Sequence, residues 1–360
     1  MVEFWRSGGP GSLTPTIAAR DAEEEGWDGQ MFMDSQSLGG DPYVFMGHWA
    51  ATTTRLKLST GVTNPLTRHP AVTANAAATL QAISSGRYVL GIGRGDSALA
   101  YLGHAPSPLE TFEHAVGDIQ ALLSGRPAAF GRHRLAEQTG SAAALSMGDR
   151  PLTAHLDWLP SDLPKVPLDI AATGPRVIAL AARLAERITF SVGAMPDRLR
   201  WAIREAETAR APHGSGPRPS YGAQIVVACH KDGWENEALA AAARMILPLA
   251  RFQVIQGKAA GPTQPGDEAN YAAIRRSYAM SKHSDFEGEK LGGETIDPGF
   301  VRRFAIVGNP DHCIERLIAL VRLGLERFVI FGPGFHDDGG RESGSLFARE
   351  VMPAVRAALA

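Results

Sequence analysis

Apolar residues are distributed along the chain in two alternating ways. Short runs are apolar almost throughout, and between them lie longer stretches in which apolar residues return every three or four positions. The first pattern marks a strand buried on both faces, the second a helix with one buried face. Read this way, the sequence predicts strands over residues 2–5, 30–33, 56–62, 88–92, 168–172, 188–192, 224–229 and 327–331, each leading towards a helix. Helices are predicted over 14–25, 71–84, 176–186, 196–210, 235–255, 310–323 and 343–359. Thr14 reads as an N-cap with Pro15 at the first helical position and Gly26 as the stop; Pro70 and Gly86 bound the alanine-rich helix in the same way. Eight parallel strands with return helices predict a closed (β/α)8 TIM-type barrel in one domain covering residues 1–360, with an open doubly wound sheet as the competitor. Residues 125–167 and 257–300 do not fit the repeat and read as insertions over the active end of the barrel.

Composition narrows the function. The chain has 360 residues, 44% hydrophobic and 21% charged, enough for a large core. Lys and Arg total 36 against 38 Asp and Glu, so no basic surplus exists to drive nucleic-acid binding. The two cysteines, Cys229 and Cys313, make neither a disulfide framework nor a zinc site. No window offers a membrane span, and Glu3 and Arg6 interrupt what would be a secretory leader, so a cytoplasmic protein is expected.

In a barrel, chemistry sits where strands end. Asp34 closes strand two and reads equally as a reactive carboxylate or a turn cap. Gly61 interrupts strand three before Val62, Thr63, Asn64 and Pro65; it marks either a bulge beside a flat ligand or a simple strand-end turn. The segment YVLGIGRGD has glycines at 91, 93 and 95 without GxGxxG spacing, which rejects a dinucleotide fold and leaves Asp96 at a ligand contact or a tight turn. Thr173, Gly174, Pro175 and Arg176 form a strand-to-helix corner suited to a phosphate, because helix N-terminal amides are unpaired and the dipole is positive there. Arg176 in that first turn opposes the dipole unless an anion is near. His69 and His104 are pocket contacts or structural residues, and the acidic run 21–25 is a solvated helix face.

Taken in order, GVTNPLTRHP, ATLQAISSGRYVLGIGRGD, PLDIAATGPRVIALAARLAERITFSVGA and FAIVGNPDHCIERLIALVRLGLERFVIFGPG resemble the bacterial luciferase-like superfamily of flavin and deazaflavin oxidoreductases, with the closest likeness to the methylenetetrahydromethanopterin reductases and their actinobacterial relatives. The resemblance implies a TIM-type barrel, usually dimeric, that binds the deazaflavin coenzyme F420 or FMN at its strand ends. It implies a cis peptide at Gly61-Val62 backing the ring, with Thr63 and Asn64 near it. Thr173 to Arg176 would meet the phosphate, with Ser191, Val192 and Gly193 beside it, and Asp34, Asp96 and Glu3 would occupy acidic positions near the reacting centre. Many relatives carry histidine where this chain has Ser35, which counts against alcohol oxidation of the sugar-phosphate kind. The function so implied is hydride transfer between F420 and a small organic substrate. The alternatives are an FMN-dependent monooxygenase fed by a separate reductase and a non-catalytic flavin-binding protein.

Overall fold

The computed structural model describes residues 1–7, 19–129, 144, 149, 151–213, 216–255, 257, 259–283, 285, 291, 295–332 and 344–359. Eight strands form the frame: β1 (Glu3–Ser7), β2 (Gly29–Phe32), β3 (Lys57–Thr60), β4 (Tyr88–Ile92), β5 (Leu168–Ala172), β6 (Arg187–Phe190), β7 (Ser220–Cys229) and β8 (Arg327–Phe331). Every neighbouring pair is parallel, and β8 pairs with both β7 and β1, so the sheet closes without an edge. This is the (β/α)8 barrel that the alternation predicts. The expected strand over 56–62 stops at Thr60; Gly61-Val62 is a cis peptide, and Thr63 rejoins the sheet by a single bridge to Ile92.

The helices outside the barrel are α1 (Ala19–Glu24), α2 (Pro42–Thr52), α3 (Pro70–Ile83), α4 (Leu109–Leu123), α5 (Pro175–Leu184), α6 (Pro196–Arg210), α7 (Glu235–Val254), α8 (Asp267–Ser277), α9 (Pro298–Phe304), α10 (Pro310–Val321) and α11 (Met352–Ala358). The start expected at Thr14 and Pro15 lies outside the described residues. The sequence reading leaves α2, α4, α8 and α9 unassigned, the last two within or at the end of the stretch read as an insertion. In α2 apolar residues occur all round, with Met46 and Trp49 buried but Val44 exposed, so no face stands out. In α4 the periodicity is present, but Pro108 precedes it and no side chain caps it. His69 proves to be a cap: its Nδ1 accepts from the Ala71 amide at 3.2 Å and starts α3. His104 is exposed.

Polar residues fill the N-terminal mouth of the barrel. Arg327, fully buried, donates to Asp169 at 3.0 Å, and Gly222 leaves room for it, since a Cβ there would lie 2.8 Å from its Nε. Glu3 accepts from Lys57 Nζ at 2.5 Å, Trp5 Nε1 at 2.8 Å and Arg187 at 2.9 Å. Above this layer Trp5, Met31, Val89 and Val329 pack inside the barrel. At the opposite mouth the interior stays open.

The two presumed insertions differ in position. Segment 125–167 follows α4, which runs antiparallel to the strands, so its described part emerges at the N-terminal side; Gln81 donates to Pro164 O at 3.0 Å and Trp158 to Asn75 at 2.8 Å. None of its described residues lines the open mouth. The excursion over the mouth is longer than 257–300. Helices α7, α8 and α9 share a second apolar cluster separate from the barrel's outer core, whereas Cys313, Leu317 and Leu320 of α10 join that outer core. Helix α10 is therefore the return helix between β7 and β8, and α7 belongs to the excursion. Among the described residues no helix is long and apolar enough to cross a membrane.

Candidate active site

A cavity of about 480 Å³ opens at the C-terminal mouth, within the range of ligand pockets. Its floor comes from the strand ends: Ser7, Met33, Gly61, Gly93, Thr173, Ser191 and Phe331. The C-terminal half of α7 supplies a largely apolar roof of Pro248, Leu249, Phe252 and Gln253. Gln253 donates to the Ser191 carbonyl and accepts from Arg198 at 2.6 Å, fixing this roof to the end of β6. Ser35 and Ser97 hydrogen-bond at 2.7 Å and tie the loops after β2 and β4 together.

Both strand-end carboxylates line the cavity, each with a cation. Asp34, 5% exposed, accepts from Thr63 Oγ1 at 2.6 Å and Arg68 Nη1 at 2.5 Å. Arg68 also reaches Asp41 at 2.7 Å and lies 4.7 Å over the Tyr43 ring. Burial alone would lower the Arg68 pKa, but Asp34, Asp41 and Tyr43 together outweigh it and raise it. Burial together with Asp34 pushes the Tyr43 hydroxyl pKa well up. Asp34 is thus a held anion and not a turn cap. Asp96 pairs with Arg251 of α7 through one oxygen; the other, Oδ1, is buried without a hydrogen-bond partner and remains an acceptor for a ligand.

At the other end two cations converge. Arg94 and Arg176 both line the cavity, and the Arg94 pKa is lowered first by burial and then by the Arg176 charge. Arg94 Nε donates to the Ser107 carbonyl at 2.6 Å, and two cations beside the N-terminus of α5 give this part of the cavity a positive potential. Gly174 caps α5 without a side-chain hydrogen bond, and open space surrounds the position a Cβ would take there. Gly61, Val62 and Gly93 line a further part of the wall; a Cβ on Gly93 would approach Val62 Cγ2 to 3.0 Å.

The structure brings Asp34, Asp96, Gly61, Val62, Asn64, Thr173, Gly174, Pro175, Arg176 and Ser191 into one cavity. It does not bring four other candidates there. Glu3 sits at the opposite mouth, because it begins its strand instead of ending it, and its partners are ion pairs of the barrel plug. Thr63 is fully buried and acts through Asp34. Val192 points into the outer core. Gly193, at φ +78°, packs against the Phe304 ring, where a Cβ would meet Cδ2 at 2.9 Å. Asn64 lines the wall while its Oδ1 accepts from the Leu66 and Thr67 amides, both at 3.0 Å, shaping the turn.

Sequence reasoning missed Arg68, Arg94, Arg251, Gln253 and His283. Arg94 sits inside the glycine-rich strand end and was legible as a cation beside a predicted ligand turn. Arg68 likewise lies in the segment after strand three that reads as a strand end, but its partner Asp34 is remote in sequence; Arg251, Gln253 and His283 lie on segments whose route to the mouth no local pattern gives.

Comparisons with known proteins bear on the family and the fold. A family profile described as "Luciferase-like monooxygenase" matches residues 15–327. A 5,10-methylenetetrahydromethanopterin reductase from Methanolobus tindarius is 26% identical, over 88% of this chain and 89% of the relative. An F420-dependent glucose-6-phosphate dehydrogenase from Microbacterium testaceum is 25% identical, over 93% and 91%. The solved coenzyme F420 dependent tetrahydromethanopterin reductase from Methanopyrus kandleri superposes with a TM-score of 0.70 at 20% identity, covering 98% of this chain and 99% of that one, a likeness of fold.

Proposed function

The chain belongs to the luciferase-like monooxygenase family, and from that premise we propose that it is an oxidoreductase passing a hydride between coenzyme F420 and a small organic substrate. The observation that carries this reading is a largely apolar cavity at the strand ends, lined by Gly61, Val62 and Gly93 on one side and by the cations Arg94 and Arg176. A ring system with an anionic tail matches it in size and charge. The names of the relatives, F420-dependent among them, favour the deazaflavin over FMN.

Bound there, the deazaflavin supplies two-electron hydride chemistry, since its central ring carries carbon where a flavin carries nitrogen. The protein's part is placement. Arg94, Arg176 and the first amides of α5 hold the phosphate, and the glycine wall admits the ring. The Asp34–Arg68 pair sets a fixed dipole beside it, and the unpaired Asp96 Oδ1 accepts a ligand hydrogen bond. Leu249 and Phe252 keep water out, which strengthens every one of these charges.

Titration of the purified protein with oxidised F420 and, separately, FMN, followed by fluorescence, tests the reading. Saturable binding of F420 with weaker FMN binding is expected. Tight FMN binding with no response to F420 would replace it by the FMN monooxygenase reading, in which turnover consumes oxygen and a separate reductase supplies the flavin. F420 bound but never turned over would make the protein a carrier. A homodimer belongs to the same proposal: Val44 and Val72 stay exposed on the packed helices α2 and α3, a face for a second copy that light scattering would detect.

A further inference from the structure

Hydride transfer to a carbonyl or a polarised alkene also needs a proton, and the cavity's obvious acids are committed. Asp34 is paired with Arg68 and Asp96 with Arg251, while arginines do not release protons at ordinary pH. Among the described residues lining the cavity there is a single histidine, His283. Imidazole is the side chain whose unperturbed titration falls between pH 5 and 8.

His283 is held in place. It follows α8 on a strap formed by Tyr278 and the short turn Met280–Lys282. Tyr101 Oη donates to the Met280 carbonyl at 2.9 Å and pins the strap to the loop after β4. The Tyr278 hydroxyl and His283 Nδ1 lie 2.7 Å apart, which sets the ring's orientation. Tyr278 is itself fixed by Arg251, whose guanidinium lies 5.4 Å over its ring while pairing with Asp96. Among the described residues the imidazole thus meets the Tyr278 hydroxyl at the end of α8, and Arg251 of α7 with Asp96 and Tyr101 from beyond β4 act on that hydroxyl in turn, while Lys282 precedes His283 on the strap. Burial pushes the Tyr278 pKa well up, so this hydroxyl stays neutral across the working range.

We propose that His283 is the proton-transferring catalytic residue of this site and that Tyr278 is its positioning residue; this rests on the hydride-transfer reading above. In the reducing direction the substrate carbon gains a hydride, its electron pair coming from the reduced deazaflavin, which is oxidised. The C=O π pair becomes the new O–H bond with the proton leaving His283 Nε2, and solvent then restores that proton. Oxidation runs the same steps backwards, with neutral His283 as the base.

The experiment uses the full chain and the variants His283→Gln and Tyr278→Phe. Fluorescence titration with F420 comes first: failure of the parent to bind overturns the coenzyme reading itself and is seen separately. The second readout needs no turnover. Diethylpyrocarbonate modification of His283, mapped by mass spectrometry, should slow at least about fivefold when F420 and cyclohexanone are present, because the imidazole borders the filled cavity. Unchanged modification would overturn the proposal. The third is hydride transfer from reduced F420 to a panel of ketones and conjugated enones across pH 5 to 9. His283→Gln should bind F420 as the parent does yet lose about 100-fold or more in rate, together with the limb of the pH profile. Tyr278→Phe should keep that limb but displace it, with kcat lowered more than KM is raised. A His283→Gln enzyme with the parent's rate and pH profile would refute the assignment. If the panel contains no substrate, the protection experiment decides.

Discussion

Glu3→Gln separates a barrel-plug role from a catalytic one. Three donors hold the Glu3 carboxylate at the N-terminal mouth: Lys57, Arg187 and Trp5 Nε1. Burial would raise its pKa, but Arg187 and Lys57 outweigh burial and hold it at about 2, against 4.5 for an ordinary glutamate. At 1.36 kcal/mol per unit this gap corresponds to about 3 kcal/mol of folding stability. The folded pKa is the lower one. The contribution is therefore complete above about pH 4.5 and drains away as pH falls towards 2. Glutamine keeps the shape and an acceptor for Trp5 but removes the charge. Equilibrium urea unfolding should show Glu3→Gln less stable by about 2 to 3 kcal/mol at pH 7, with the difference shrinking below pH 4. F420 affinity, read by fluorescence, should stay within twofold of the parent, because the cavity lies at the other end of the barrel. A variant of undiminished stability that no longer turns over would refute this reasoning and return Glu3 to the chemistry. So would a stability gap of constant size from pH 7 to pH 3.

Three further outcomes follow from the cavity. Gly174→Asp places a carboxylate at the cap of α5 in open space; it should leave the melting temperature unchanged or raised, as aspartate is a good cap, while weakening F420 binding at least about tenfold. Arg68→Met strips the buried Asp34 of its cation and should cost about 3 to 5 kcal/mol in urea unfolding, and adding Asp34→Asn should recover much of it; additive losses would show that the pair is not coupled. Asp96→Asn loosens Arg251 and should slow turnover while F420 still binds in the same titration, and an unchanged rate would reduce Asp96 to a turn residue.

The barrel was legible because its information is local. Strands 88–92, 168–172 and 327–331 coincide with β4, β5 and β8, and Pro196–Arg210 coincides with α6, since each run is bounded by its own turn or proline. The candidate site was legible in the same measure: residues that directly follow a strand, such as Asp34, Gly61, Asp96 and Thr173, reach the mouth because a parallel barrel sends every strand end to one side. Glu3 broke that rule by opening its strand instead of closing it.

What local pattern could not supply was the path of the chain between elements. Helix α7 reads as an ordinary return helix, yet it roofs the cavity, and α10 returns instead. The described part of segment 125–167 lies at the N-terminal side, a placement that no local pattern gives. The pairs Asp34–Arg68 and Asp96–Arg251 and the strap that carries His283 join residues with 34, 155 and 179 positions between partners. Periodicity determines which face of an element is buried, because that depends on neighbours within a turn. Which charge finds which across the mouth depends on packing among distant segments, and only the closed barrel with its excursion sets that.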